Sequence, residues 1–234
     1  MRHRELRERV LAANIELVKA GLVVLSFGNA SAADRDAGVL AIKPSGVRYE
    51  RLRPRDIVVL ALEDGRVVEG SRRPSSDTPT HLVLYREFPG VGGVVHTHST
   101  CATSWAQARR ELPCLGTTHA DHFRAAVPVT RPLTPAEIAE DYETNTGRVI
   151  VERFAQAGLD PLDVPAVLDA SHGPFAWGPT VETALENAIA LEAIAAMAIH
   201  TVCLEPAAEA IPSELREKHF RRKHGPQAYY GQPR

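Results

Sequence analysis

Two short apolar runs, Ile57 to Leu62 and Val67-Val68, are separated only by Glu63-Asp64-Gly65 and Arg66. A connection that short cannot carry a crossover helix, so the two runs pair as an antiparallel hairpin. That excludes an all-parallel sheet. Helical periodicities elsewhere require the sheet to be combined with helices. Leu6, Val10, Ala13 and Leu17 share one face of a helix over about residues 3 to 20, stopped at Gly21. An Ala-rich helix is expected from about Val181 to Leu204. Others are expected from Asp77 to about Phe88, near Thr100 to Arg109, from Leu133-Thr134-Pro135 onward, and from Pro212 to about Lys223. Further strands are expected at Leu22 to Leu25, Val39 to Ile42, Val91 to Thr97, Ala166 to Leu168 and Phe175 to Trp177. Ser26 to Ser31 reads as a small-residue loop. The fold class expected from these elements is one α/β domain, with antiparallel pairs in a central sheet and helices on both faces.

The 234 residues are enough to bury a core, and neither a repeat nor a change in composition divides them. A net charge of −2 offers no broad basic surface, so no nucleic acid or membrane partner is expected. The N-terminus carries both signs of charge without an apolar stretch behind it, and the apolar stretch from Ile189 to Leu204 is interrupted by Glu192 and His200. From these features a soluble, cytoplasmic protein is expected. Cys101, Cys114 and Cys203 form no C-x-x-C pair and read as small buried hydrophobes.

The chemistry concentrates in a few places. His96 and His98 flank Thr97 at the end of a valine-rich strand, where residues two apart point to one side and can chelate one divalent cation. His172, in Ser171-His172-Gly173-Pro174, sits where a third ligand can approach. Asp77 opens a helix, where it can serve as an N-cap, as a ligand, or as both. Three histidines and an acid leave coordination positions for substrate oxygens. Small-residue loops at Gly28-Asn29, Ser45-Gly46 and Ser75-Ser76 can cradle a phosphate, with Lys43 and Arg72-Arg73 adding charge. They match neither nucleotide-binding fingerprint. Asp121, in Gly116-Thr117-Thr118-His119-Ala120-Asp121, is either a turn residue or a proton-transfer group. The tail Ala228-Tyr229-Tyr230-Gly231-Gln232 carries aromatic residues that suggest docking, including onto a neighbouring subunit.

Taken in order, these blocks resemble the class II aldolase/epimerase family, and its epimerase branch in particular. They are Gly28 to Ser31, IKPSGV at 42–47, PSSDTPTH at 74–81, GGVVHTHS at 92–99, GTTHAD at 116–121, SHGPFAWG at 171–178 and KHG…AYYGQ over 223–232. The resemblance implies a three-layer α/β/α single domain over residues 1–234 with a mainly antiparallel sheet. It implies a divalent metal, Zn²⁺ foremost with Mn²⁺ or Co²⁺ as alternatives, held at Asp77, His96, His98 and His172. It implies phosphate binding by Gly28, Asn29, Lys43, Ser45, Gly46, Ser75 and Ser76. It assigns proton transfer to Asp121 and Tyr230, the tyrosine reaching a neighbour's site from a tail at about 224–234 in a homotetramer.

The implied reaction converts L-ribulose 5-phosphate to D-xylulose 5-phosphate by retro-aldol cleavage and re-addition at C4. Two alternatives are a class II aldolase and an epimerase of another ketose phosphate such as L-xylulose 5-phosphate. A non-catalytic relative of the adducin type would lack the histidines present here. Phe27, His122, Thr100-Cys101 and Asp169-Ala170 depart from the familiar epimerase pattern, and none of them is an expected ligand.

Overall fold

In the computed structural model, which describes residues 2–226 and 228–230, seven strands form a single antiparallel sheet. They are β1 (Gly28–Asp34), β2 (Val39–Ile42), β3 (Val58–Ala61), β4 (Val67–Glu69), β5 (Gly93–Thr97), β6 (Ala166–Asp169) and β7 (Gly173–Gly178), arranged β4-β3-β2-β1-β5-β7-β6. The hairpin expected around Gly65 is β3–β4. Every pairing of named strands is antiparallel. Side chains alternate between the two faces along each strand, and at the edge strand β4 both Val67 and Val68 are exposed.

The helices are α1 (Arg4–Lys19), α2 (Thr78–Glu87), α3 (Thr100–Gln107), α4 (Thr117–Ala120), α5 (Pro135–Ala157), α6 (Val181–Leu204) and α7 (Ser213–Lys223). One face of the sheet packs Ala30, Val95, Leu168 and Ala176 against α1, α3 and α6, in a core that includes Val10, Trp105 and Leu191. The other packs Ile42, Val94, Val167, Phe175 and Trp177 against α2 and α5 through Leu84, Phe88, Ile150 and Phe154. The expected three layers are present. Thr134 caps α5 with a reciprocal pair of bonds to Glu137, as Thr-Pro-Ala-Glu predicts.

One expectation is reversed at the first strand. Leu22 to Leu25 is not a strand but a turn, with Leu25 at φ 57° and Val24 and Leu25 largely exposed. The strand is the small-residue stretch that follows, Gly28–Asp34. It lies between β2 and β5, and α1 grips it through Asn14, whose amide exchanges bonds of 3.0 Å with both the N–H and the C=O of Ala30. Strand pairing and helix packing override the low strand propensity of this run. Gly28 is required where β1 meets β5: at φ 116°, a Cβ there would lie 2.8 Å from the His96 carbonyl oxygen.

α6 spans 24 residues, longer than the apolar stretch legible around Ile189, and its length and hydropathy match those of a membrane-crossing helix. Here it packs on β5 and β7, and Gly93 lets its first turn approach: a Cβ on Gly93 would meet the Cα of Val181 at 2.4 Å. Glu192, which interrupts its apolar face, is used internally. Its two carboxylate oxygens accept the N–H groups of Cys101 and Ala102 at 2.7 and 2.9 Å, satisfying the first turn of α3.

Candidate metal centre

The pairing register brings the site together. Asn29 on β1 lies opposite His96 on β5, and His96 lies opposite Phe175 on β7. The three side chains therefore form one row on the face covered by α2 and α5. The imidazole of His96 stacks on the Phe175 ring at 4.2 Å between centroids. His98 follows two residues later. His172 arrives from the three-residue turn between β6 and β7, where Ser171 takes φ 67° and the N–H of His172 donates to Asp169 O. Gly173 is needed at this turn because a Cβ would meet Thr97 O at 2.7 Å. The result is a cluster of His96, His98 and His172 in which one nitrogen from each ring lies within 4.8 Å of the others.

Chemically, these donors fit a divalent cation. His96 donates from Nδ1 to the carbonyl of Pro174 at 3.0 Å, which leaves its Nε2 as a bare lone pair. That atom lies 3.1 Å from Nε2 of His98. Burial pushes the His96 imidazole down to about 3, with the neighbouring His172 and His98 acting in the same direction against the attraction of Asp77. Burial also lowers His98. Neutral imidazoles with converging lone pairs are the form that ligates a cation.

Asp77 stands at the N-cap position of α2, but its side chain makes no capping bond. Its Oδ2 turns instead to Asn29, accepting from Nδ2 at 2.6 Å, with Ser75 Oγ at 3.4 Å. Burial would raise this carboxyl, but His96, His81 and the Asn29 bond hold it below the ordinary value. It borders the cluster without joining the group whose ligand atoms converge within 4.8 Å.

Around Asp77, the expected phosphate residues are largely contiguous. The loop after β2 and the loop before α2 are laced by Ser75 N–H to Lys43 O and Ser45 N–H to Arg73 O. Asn29 Nδ2 also lies 3.2 Å from Ser75 Oγ. Lys43 is buried; its Nζ sits 4.6 Å from the Tyr49 ring centroid and, among the described residues, hydrogen-bonds only to the Pro44 carbonyl, at 3.4 Å. Burial lowers its pKa against the opposing pull of Asp77. A buried ammonium so sparsely bonded suits an incoming anion. The Tyr49 hydroxyl donates to Gly28 O at 2.6 Å, tying the first loop to the others. Gly46 turns its loop at φ 68°, and Ser76 is exposed beside Ser75.

Asp121 and Tyr230 are placed elsewhere. Asp121 ends α4, and its carboxylate accepts from Arg222 Nε and Nη2 at 2.9 and 2.6 Å and from His219 at 3.1 Å. Burial would raise this carboxyl, but Arg222, His219 and Lys223 hold it below the ordinary range. Tyr230 is exposed, and its ring lies 4.7 Å under the Arg222 guanidinium. Its N–H, like that of Tyr229, returns to Arg222 O. Among the described residues, no hydrogen bond, ion pair or ring contact joins either residue to the histidine cluster of the same chain. Gln227 and the end of the tail, with Gly231 and Gln232, lie outside the described residues.

The structure adds residues that the sequence did not mark as functional. Tyr142 reaches the cluster, its ring 6.2 Å from that of His172, because α5 is kinked at Asp141 (φ −155°, ψ 78°). His81, one turn into α2, is fully buried and bonded through Nδ1 to Ser31 Oγ at 2.7 Å. Its place four residues after Asp77 was the available signal. Asp169, visible in sequence only as an unusual residue, bonds His172.

Residues 8–199 match the family model described as the class II aldolase and adducin N-terminal domain. The chain is 50% identical over 228 residues to the L-ribulose-5-phosphate 4-epimerase UlaF of Salmonella paratyphi C (strain RKS4594), covering 97% of this chain and 99% of that protein. Among solved structures it is similar to an L-fuculose 1-phosphate aldolase, with a TM-score of 0.80 at 26% identity over 95% of this chain and 97% of the other. It is also similar to the L-fuculose-1-phosphate aldolase of Thermus thermophilus, with a TM-score of 0.67 at 25% identity over 87% and 98%. With the family model spanning most of its length, this chain belongs to the class II aldolase and adducin family.

Proposed function

We propose that this protein interconverts L-ribulose 5-phosphate and D-xylulose 5-phosphate by breaking and re-forming the C3–C4 bond. The observation that carries the reading is the end-to-end 50% identity to relatives named L-ribulose-5-phosphate 4-epimerase. The converging histidines beside a buried lysine supply the chemistry.

C4 of a 2-ketose is one carbon too far from the carbonyl for its hydrogen to be acidic. Inversion there proceeds instead by removing the C4 hydroxyl proton and letting the C3–C4 electrons flow toward C2. His96, His98 and His172 with Asp77 would hold a divalent cation, Zn²⁺ before Mn²⁺ or Co²⁺, which when bound would supply Lewis-acid stabilisation for the charge that develops on the ketose oxygens. Gly28, Asn29, Lys43, Ser45, Gly46, Ser75 and Ser76 hold the phosphate, so the aldehyde fragment is retained while it turns its other face. Asp121 and Tyr230 take and return the hydroxyl proton on opposite sides of the substrate. Within this chain both lie against Arg222 of α7.

The active assembly in this reading is a cytoplasmic homotetramer. Each chain acts as one catalytic domain, and the tail at about 224–234 completes a neighbouring subunit's site. The likeness in fold to L-fuculose 1-phosphate aldolase favours a second reading, net cleavage of a sugar phosphate.

The two readings separate in deuterated water with L-ribulose 5-phosphate as substrate. Epimerisation by cleavage yields D-xylulose 5-phosphate carrying no solvent deuterium at C4, because the C4–H bond never breaks. Release of free glycolaldehyde phosphate without the epimer would favour the aldolase, and deuterium at C4 would exclude the cleavage mechanism.

A further inference from the structure

His96 and His172 present bare nitrogens to the cluster for different reasons. His96 is oriented by a neutral carbonyl, that of Pro174. His172 is oriented by a carboxylate: its Nδ1 lies 3.0 Å from Asp169 Oδ2. Asp169 is the last residue of β6, and its side chain is 5% exposed. Among the described residues it makes no ion pair with any lysine or arginine; its one charged or chargeable partner is His172.

The protons in this network are determined by what can donate. The hydroxyl of Thr130 accepts the N–H of Ala170 at 2.9 Å, so its own proton is directed to Asp169 Oδ1, also at 2.9 Å. Thr130 is itself fixed by its backbone N–H to Leu168 O. Asp169 Oδ2 then faces His172 Nδ1. An ionised carboxylate only accepts, so the imidazole must carry its proton on Nδ1. The Nε2 lone pair of His172 is therefore left free toward His96 and His98. A buried carboxylate without a basic partner is costly unless positive charge lies nearby, and a cation on the far side of the same imidazole provides it.

We propose that Asp169, locked by Thr130, is a positioning residue that fixes the tautomer and direction of His172 and strengthens the hold of the site on a divalent cation. The inference rests on the metal-centre reading and assigns a use to a position where the chain departs from the epimerase pattern.

The test is the dissociation constant and visible absorption of bound Co²⁺ in purified full-length protein, with Zn²⁺ affinity from chelator competition. Asp169→Asn is nearly isosteric, but it reverses the hydrogen bond. Thr130 continues to donate to the amide oxygen, which leaves the amide NH₂ facing His172 Nδ1 and drives the ring proton to Nε2. Asp169→Asn is therefore expected to bind Co²⁺ and Zn²⁺ about 10–100-fold more weakly, at least as weakly as Asp169→Ala, with an altered Co²⁺ spectrum. A purely structural role would make the asparagine the milder change. Thr130→Val keeps the carboxylate but frees it, and a several-fold loss is expected; this variant decides the matter if the Asp169 variants do not fold. Wild-type affinity and spectrum in Asp169→Asn, or in Thr130→Val should it alone fold, would overturn the proposal. If the wild-type chain bound neither metal, the metal-centre reading itself would fall, and with it this inference.

Discussion

Asn29 Nδ2 lies 2.6 Å from Asp77 Oδ2, so the side chain of the N-cap residue of α2 is bonded across the site to β1 and does not cap its own helix. This contact joins the proposed phosphate loops to the candidate metal centre. A hydrogen bond to a buried carboxylate is worth about 1.5–3 kcal/mol. Asn29→Ala frees Asp77 to swing, and it is expected to lower Zn²⁺ affinity about tenfold or more in chelator competition. Unchanged affinity would mean that Asp77 has no part in holding the cation.

Three buried imidazoles make the metal-free protein sensitive to acid. Burial pushes His81 and His119 down to about 4 and His96 to about 3, from an unfolded value of 6.5. Their folded forms bind fewer protons than the unfolded chain, so the stability they contribute is complete above pH 6.5. It is lost as pH falls from there toward the folded values, by about 1.4 kcal/mol per pH unit for each histidine. Urea unfolding of chelator-treated protein should show a lower midpoint at pH 5.5 than at pH 7.5. His119→Gln, away from the metal centre, should flatten the dependence by one histidine's share. A midpoint independent of pH over this range would contradict the burial account.

Arg222 holds both oxygens of Asp121 and shields the ring of Tyr230. Its removal takes away the main interaction that opposes the burial of Asp121, so the carboxyl should rise. Arg222→Met is expected to move the acidic limb of the kcat/KM profile to higher pH and to lower the maximum, with bound metal retained. A profile that falls in height but keeps its acidic limb would leave Asp121 without a role as a proton acceptor.

Because Asp121 and Tyr230 make no contact with the cluster of their own chain among the described residues, complementation between subunits is expected. His98→Asn lacks a ligand but keeps its tail, whereas Tyr230→Phe keeps its metal centre. Each alone should be nearly inactive. If each site draws on two chains of the proposed tetramer, oligomers reassembled from an equal mixture should recover up to about a quarter of wild-type activity. Absence of any recovery in demonstrably mixed oligomers would place the complete site within one chain.

Much of this arrangement is legible in the sequence. His96 lies on a strand of unmistakable apolar character and His98 follows directly after its end, two residues on, while Gly173 after His172 marks a tight turn, so their approach is legible in the local sequence. The β3–β4 hairpin and the helix from Val181 to Leu204 are equally local in origin. What escapes a local reading depends on neighbours. Gly28–Asp34 is poor in strand-forming residues and becomes a strand only because β2, β5 and α1 all pair or pack with it. Asp169 is one acid among many until the hairpin folds it back on His172 and Thr130 arrives from another segment. Tyr142 is brought to the site by a kink at Asp141 that no proline or glycine there announces.

The most direct measurement is conversion of L-ribulose 5-phosphate to D-xylulose 5-phosphate by the purified protein as isolated, after chelation, and after Zn²⁺ is restored. The account predicts conversion by the metal-loaded protein, its loss on chelation and its return with Zn²⁺, in step with metal bound per subunit. Conversion undiminished in protein shown to be free of metal, or no conversion by protein shown to be fully loaded, would contradict it.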